Sequence, residues 1–203
     1  MQSYRLAPDV TIEAELEDVA RAVRFTQENA AAWGAAPDRV FLAGHSAGGH
    51  LVTLLSCDPT YLQAAGADPR KVRGTIALSP VLDLAHMRDH NDDEFNAAIT
   101  TPVFGADPAR LARFSPSTCF RKQMPPLLLL LGERDYPYLS DQVTAQAARL
   151  AELGTPADLR IVPGYTHEDM VVRMNGDGDL ITPAIAAFVK SMKTHNPPRT
   201  PRR

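Results

Sequence analysis

Ser46 stands at the centre of Gly44-His45-Ser46-Ala47-Gly48, a G-x-S-x-G pentapeptide set behind the apolar run 39–43, RVFLA, and running into GGHLVTLLS. The pentapeptide alone is common by chance. Between a strand and a helix it makes a sharp turn that lifts a serine hydroxyl clear of the sheet, and both flanks read that way here. Small residues at 44, 47, 48 and 49 let strand and helix approach closely. The helix N-terminus favours developing negative charge, with the Ala47 N–H as donor to an oxyanion. The alternative is a glycine-rich helix cap with no chemistry.

A serine hydroxyl is a poor nucleophile until a base takes its proton and an acid orients that base. The order that accompanies this turn is serine, acid, histidine, each just past a strand. Asp135 follows the run 127–131, LLLLL, and His167 follows ADLRIVPG. The expected chemistry is proton removal from Ser46 by His167, with Asp135 fixing the imidazole tautomer and stabilising the imidazolium. Glu133 is the competing acid and reads as a solvated loop charge. Asp83 reads as a loop cap or pocket residue. His45 and His50 flank the serine and suit packing or hydrogen bonding, His45 also being a candidate for the pocket wall. His86 and His90 lie among Asp89, Asp92, Asp93 and Glu94, which read as a solvated loop rather than a metal site. No metal ligand and no cofactor is assigned.

These groups need a scaffold that brings strand ends together. Apolar residues at 12, 16, 19 and 23 predict an amphipathic helix over 12–33, ended by Gly34 and Pro37. Runs 39–43, 72–84, 125–135 and 157–164 predict four buried strands. The segment 140–154 predicts a helix with Ser140 as N-cap and Gly154 past its end, and 180–192 a last helix with Pro183 in its first turn. Strands alternating with helices give an α/β fold, a mostly parallel sheet with helices on both faces. Phe41 and Trp33 are expected in the core. The polar segment 85–124 carries weak helical signals near 107–114, and its length predicts a lid or pocket wall. Met87, Phe95, Val103, Phe104 and Phe114 are its candidate wall residues, against the alternative of a lid helix packed on the core. The domain is expected over 1–193, with 194–203 a disordered basic tail.

Bulk properties exclude several classes. A net charge of -3 and a pI near 6.1 give no general attraction to nucleic acid or anionic membrane. No apolar run is long enough to span a bilayer, and MQSYRLAP lacks a signal-peptide core. Cys57 and Cys119 form no framework and lack C-x-x-C spacing, so they are expected as thiols in a reducing, cytoplasmic setting.

YRLAP, DVARAVRFTQENAAAWGAAPDRVFLAGHSAGGHL, LSPVLDL, PPLLLLLGERD and VPGYTHEDM together resemble the α/β-hydrolase fold esterases and lipases, most of all the small carboxylesterase and arylformamidase-like branch. The resemblance covers about residues 4–189. It implies Ser46 as nucleophile, Asp135 as acid, His167 as base and Ala47 N–H as one oxyanion donor. In that family YRLAP follows a strand, an H-G-G-G type loop and a helix, and the loop supplies further oxyanion donors. Here Met1 stands three residues before Tyr4, so a chain without that section is expected. Loss of one such donor costs about 100- to 1000-fold in turnover. The absent strands would leave an edge that a second copy, in a homodimer, could cover. The expected activity is hydrolysis of small or medium acyl esters through an acyl-enzyme, without metal or cofactor, on a small-molecule ester or amide. The alternatives are an arylformamidase with the same triad and a non-catalytic remnant of the fold. A prolyl-oligopeptidase-like peptidase would need an accessory domain that this length does not hold.

Overall fold

The computed structural model describes residues 3–192, so the expected tail at 194–203 lies outside the described residues. In chain order the elements are α1 (Ile12–Asn29), β1 (Val40–His45), α2 (Ala47–Cys57), α3 (Thr60–Ala64), β2 (Val72–Leu78), α4 (Leu84–Asp89), α5 (Asp93–Phe95), α6 (Thr101–Phe104), α7 (Pro108–Phe114), β3 (Leu127–Arg134), α8 (Pro137–Glu152), β4 (Ala157–Thr166), α9 (Asp169–Val172) and α10 (Ile181–Ser191). The four strands form one sheet in the order β1-β2-β3-β4, and every pairing is parallel. Among the described residues β1 and β4 are the edges.

The leucine run at 127–131 shows why the sheet carries helices on both faces. Successive side chains of a strand point to opposite sides. Leu127, Leu129 and Leu131 join the larger core with α1, α2 and α8. Leu128 and Leu130 join a smaller core with Met170, Ile181 and Phe188. A strand buried on both faces has no position for a polar residue, so its sequence is continuous rather than alternating.

Several local expectations change. The helix from Ile12 stops at Asn29, and Ala30–Trp33 tightens into a 3-10 turn ended by Gly34 at φ +73°. The tighter winding carries the buried stripe to Ala30 and leaves Trp33 59% exposed, its ring against the equally exposed Phe25. Trp33 is therefore a surface residue, while Phe41 packs partly buried, edge-on to Phe188. Ser140 is not an N-cap. Helix α8 begins at Pro137, whose fixed φ suits a first helical position, and the Ser140 N–H already donates to Tyr136 O. Gly154, at φ +69°, does end that helix, and Pro183 does sit in the first turn of α10.

The segment 84–118 is far more helical than its sequence suggests. Asp83, Asp92 and Asp107 each accept a backbone N–H in the turn that follows, from His86, Phe95 and Ala109. Each such cap is worth about 1 kcal/mol, which lets short helices form in a polar stretch. Long-range bonds then fix the segment to the body. Gln142 Oε1 accepts from Leu82 N and Asp83 N, both at 2.7 Å. The Arg110 guanidinium grips Glu13 at 2.7 and 2.8 Å and holds that carboxyl down to about 2. His50 Nε2 lies 2.7 Å from Phe114 O, inside the protein. His86 and His90, four residues apart, stack across the end of α4 with ring centroids 3.9 Å apart, so they belong to a helical turn rather than a loose loop. The cysteine expectation is also corrected. The end of α2 meets the turn after Pro116, and Cys57 and Cys119 form a disulfide across 62 residues, a pairing that spacing could not reveal.

Two outcomes follow. Unfolded, unreduced protein is expected to take up no iodoacetamide by mass spectrometry, and two labels after reduction; two labels before reduction would refute the bridge. Burial drives His50 down to about 4. Between that value and its unfolded value the unfolded chain binds one more proton, so this contribution is complete above about pH 6.5 and drains as pH falls toward 4, by up to about 3 kcal/mol. Urea melts across that window should show a shallower pH slope in His50→Gln; an unchanged slope would count against the assignment.

Candidate active site

Ser46 sits between β1 and α2 with φ +53° and ψ −117°, a conformation that costs of order 1–3 kcal/mol and needs support from its surroundings. Its N–H donates to Leu78 O on β2, and its carbonyl accepts from His50 N, both at 2.9 Å. Gly44 makes the tight approach possible, because a Cβ there would lie 2.3 Å from the Gly48 carbonyl carbon. The Ser46 side chain makes no capping hydrogen bond to α2. A serine capping a helix through its side chain would use its hydroxyl for that purpose, and the Ser46 hydroxyl is not used so. The first-turn N–H of Ala47 has no carbonyl within the helix to bond, as at any helix start.

Asp135 follows β3 and His167 follows β4. His167 Nδ1 lies 2.9 Å from Asp135 Oδ1, and the Asp135 side chain is fully buried. The Ser79 hydroxyl donates to Oδ2, and the Tyr136 N–H donates to Oδ1 at 2.8 Å. Burial pushes the Asp135 carboxyl up, and the hydrogen bonds from His167, Ser79 and Tyr136 outweigh it, holding the carboxyl below its ordinary value. An ionised acceptor at Oδ1 requires the hydrogen on Nδ1, which leaves Nε2 as the acceptor of a neutral ring. The strand crossing that sets this up is close: a Cβ on Gly132 would lie 2.5 Å from Tyr165 O, and the β3–β4 register shifts between Gly132 and Arg134.

Glu133 takes no part in this pair. Its carboxylate accepts the Gly164 N–H at 2.7 Å, while the Arg134 guanidinium donates to Gly164 O, so both residues brace the bend in β4. Asp83 caps α4, as its position suggested.

Ser46, Ala47 and His167 line one cavity of about 590 Å³, together with Met87, Phe95, Val103 and Phe104. Two expected wall residues are elsewhere. Phe114 is wholly buried in the core, beneath the guanidinium groups of Arg110 and Arg113. His45 faces the His167 backbone instead of the cavity. Residues that the sequence did not single out also line the cavity, notably Tyr4, Glu15, Tyr136 and Tyr138. Ser79 was missed as well, although it follows β2 as Ser46 follows β1, and a survey of polar residues at strand ends would have found it. A larger, more open groove of about 990 Å³ lies at the other end of the strands, between Leu55, Arg70 and Arg121, and holds none of these groups. Among the described residues no cluster of three or more His, Cys, Asp or Glu side chains is placed to hold a metal ion.

A family described as alpha/beta hydrolase fold matches residues 1–170. The chain is 24% identical over 184 residues to an isoprenylcysteine alpha-carbonyl methylesterase of Arabidopsis thaliana, covering 84% of this chain and 43% of that protein. It is 28% identical over 208 residues to an ethyl acetate hydrolase of Pseudomonas putida, covering 95% and 61%. It therefore spans less than two thirds of the length of either relative. Its fold matches a truncated form of a carbohydrate esterase from gut microbiota with a TM-score of 0.78, at 20% identity, covering 95% of this chain and 73% of that one. No helix among the described residues is long and apolar enough to cross a membrane.

The Asp135 pair has a titration signature. Its depressed carboxyl contributes stability above the unfolded value and loses it as pH falls through the folded one. Ser79→Ala removes one lowering hydrogen bond, so the carboxyl should titrate at higher pH in carbon-13 NMR. An unmoved titration would show that Ser79 does not share the charge.

Proposed function

Because the chain belongs to the alpha/beta hydrolase fold family, we propose that it hydrolyses small or medium acyl carboxylic esters, with Ser46 as nucleophile, His167 as general base and Asp135 as the orienting acid. The observation that carries this reading is the pairing of the buried Asp135 carboxylate with the partly buried His167, whose imidazole lines the same apolar cavity as a strained serine whose hydroxyl makes no capping bond.

In this reading His167 Nε2 takes the hydroxyl proton as Ser46 Oγ attacks the ester carbonyl. The ionised Asp135 stabilises the imidazolium that results. The Ala47 N–H and the positive end of α2 meet the oxyanion of the tetrahedral intermediate. The intermediate collapses with release of the alcohol, which takes the proton from His167, and leaves the acyl group on Ser46. Water then attacks that acyl-enzyme with the same base, releasing the acid and the free serine. Met87, Phe95 and Phe104 form an apolar wall for the organic part of the ester. The names of two relatives give a methyl ester and ethyl acetate as substrates, which supports a small ester here.

Purified protein should turn over p-nitrophenyl acetate and butyrate, and a fluorophosphonate should label it at Ser46. Ser46→Ala should abolish both while circular dichroism stays unchanged, and Asp135→Asn should lower turnover by about 1000-fold or more. Turnover that survives Ser46→Ala, or a folded chain with neither turnover nor labelling, would overturn the reading and favour a non-catalytic role.

A further inference from the structure

His45 is the last residue of β1 and precedes the nucleophile candidate, yet its side chain reaches the segment after β4. Its Nε2 lies 2.9 Å from the backbone oxygen of His167, and the two rings sit 4.5 Å apart at 46°. A carbonyl oxygen only accepts, so Nε2 carries the hydrogen and donates it. Burial, and then the charge of the neighbouring His167 ring, hold His45 below its ordinary pKa and in the neutral form that has one donor and one acceptor nitrogen; the bond to the His167 backbone oxygen, Asp135 and Glu168 act in the opposite sense.

The topology explains why such a bond matters. Ser46 leaves β1 and His167 leaves β4, the two edges of the described sheet. Three strand spacings of about 4.8 Å place those strand ends about 14 Å apart. The segment after β4 must therefore come back across the strand ends before its imidazole can meet a serine on β1. Asp135, which follows β3, holds the imidazole but not the main chain, and its own strand is two removed from β1. Thr166 and Asp169 bond to one another and fix only the local turn. The contact with His45 closes the remaining gap directly, from the residue beside Ser46 to the backbone of the base.

We infer that His45 is a positioning residue: its Nε2–H anchors the His167 main chain to the serine turn and thereby sets the base-to-nucleophile distance. The inference rests on the proposed hydrolase reading for its effect on rate, while the anchor itself does not. A residue of this kind acts on turnover rather than on substrate binding, since His45 is not part of the cavity wall.

Two variants separate its possible roles. His45→Phe keeps an aromatic ring against His167 and loses the donor. His45→Gln keeps an N–H at about the reach of Nε2 and loses the ring. With p-nitrophenyl butyrate, His45→Phe should lower kcat about tenfold with KM within about twofold, and His45→Gln should stay within about threefold of wild type. In parallel, the low-field proton resonance of the His167 Nδ1–H should weaken or shift in His45→Phe and persist in His45→Gln, with circular dichroism as the folding control. The anchor is overturned if His45→Phe keeps full turnover and an unchanged resonance, which would leave ring packing as the role of His45, or if both variants lose turnover and resonance alike, which would show that an N–H donor at this position does not hold the base. Should wild type itself hydrolyse no ester, the hydrolase reading falls, and the resonance comparison alone still decides whether the anchor exists.

Discussion

A carboxylate buried without a cation beside it has to be satisfied by hydrogen bonds alone, and Asp135 is satisfied from three directions. Ser79 comes from the end of β2, the Tyr136 N–H from its own chain and the His167 imidazole from the segment after β4. Desolvation of a charge costs several kcal/mol when uncompensated, so these partners are held in register by the penalty for losing any one of them. The same requirement selects the ring tautomer of His167 and keeps its second nitrogen free to accept a proton. Much of the site's geometry is thus a consequence of one buried charge.

The sheet makes that arrangement affordable in conformational terms. Parallel strands place all their carboxyl ends at one edge, where polar groups collect without crossing the core. Below that edge the leucine run of β3 is sealed on both faces, which leaves little freedom for the strand ends to shift. Gly44 and Gly132 mark the two places where backbones come closer than any side chain permits. One allows the serine turn to fold against α2, and the other brings β4 across β3 so that acid and base meet.

The cavity wall is built differently, from short helices that would not persist alone. Aspartate caps start them, and bonds from Gln142, His50 and Arg110 hold them to the body. Their apolar residues Met87, Phe95 and Phe104 gain a fixed position only through those attachments. The wall and the strand-end groups therefore have separate structural origins, and they share only the space between them.

How much of this was legible in the chain depends on the range of the interaction. The serine turn, the leucine strand, the last helix and the order of Ser46, Asp135 and His167 follow from local patterns, because strand burial, helix periodicity and tight-turn sterics act between near neighbours. The same locality misjudged Trp33, Ser140 and the helical content of 84–118, where one turn of different winding or a single cap changed the outcome. The Cys57–Cys119 bridge, the Ser79 bond to Asp135, the removal of Phe114 from the cavity and the reach of His45 to His167 all join residues from 56 to 122 positions apart or depend on such contacts. No spacing rule covers those pairs. They arise because the parallel sheet brings remote strand ends to one edge, and only the folded chain decides which side chains meet there.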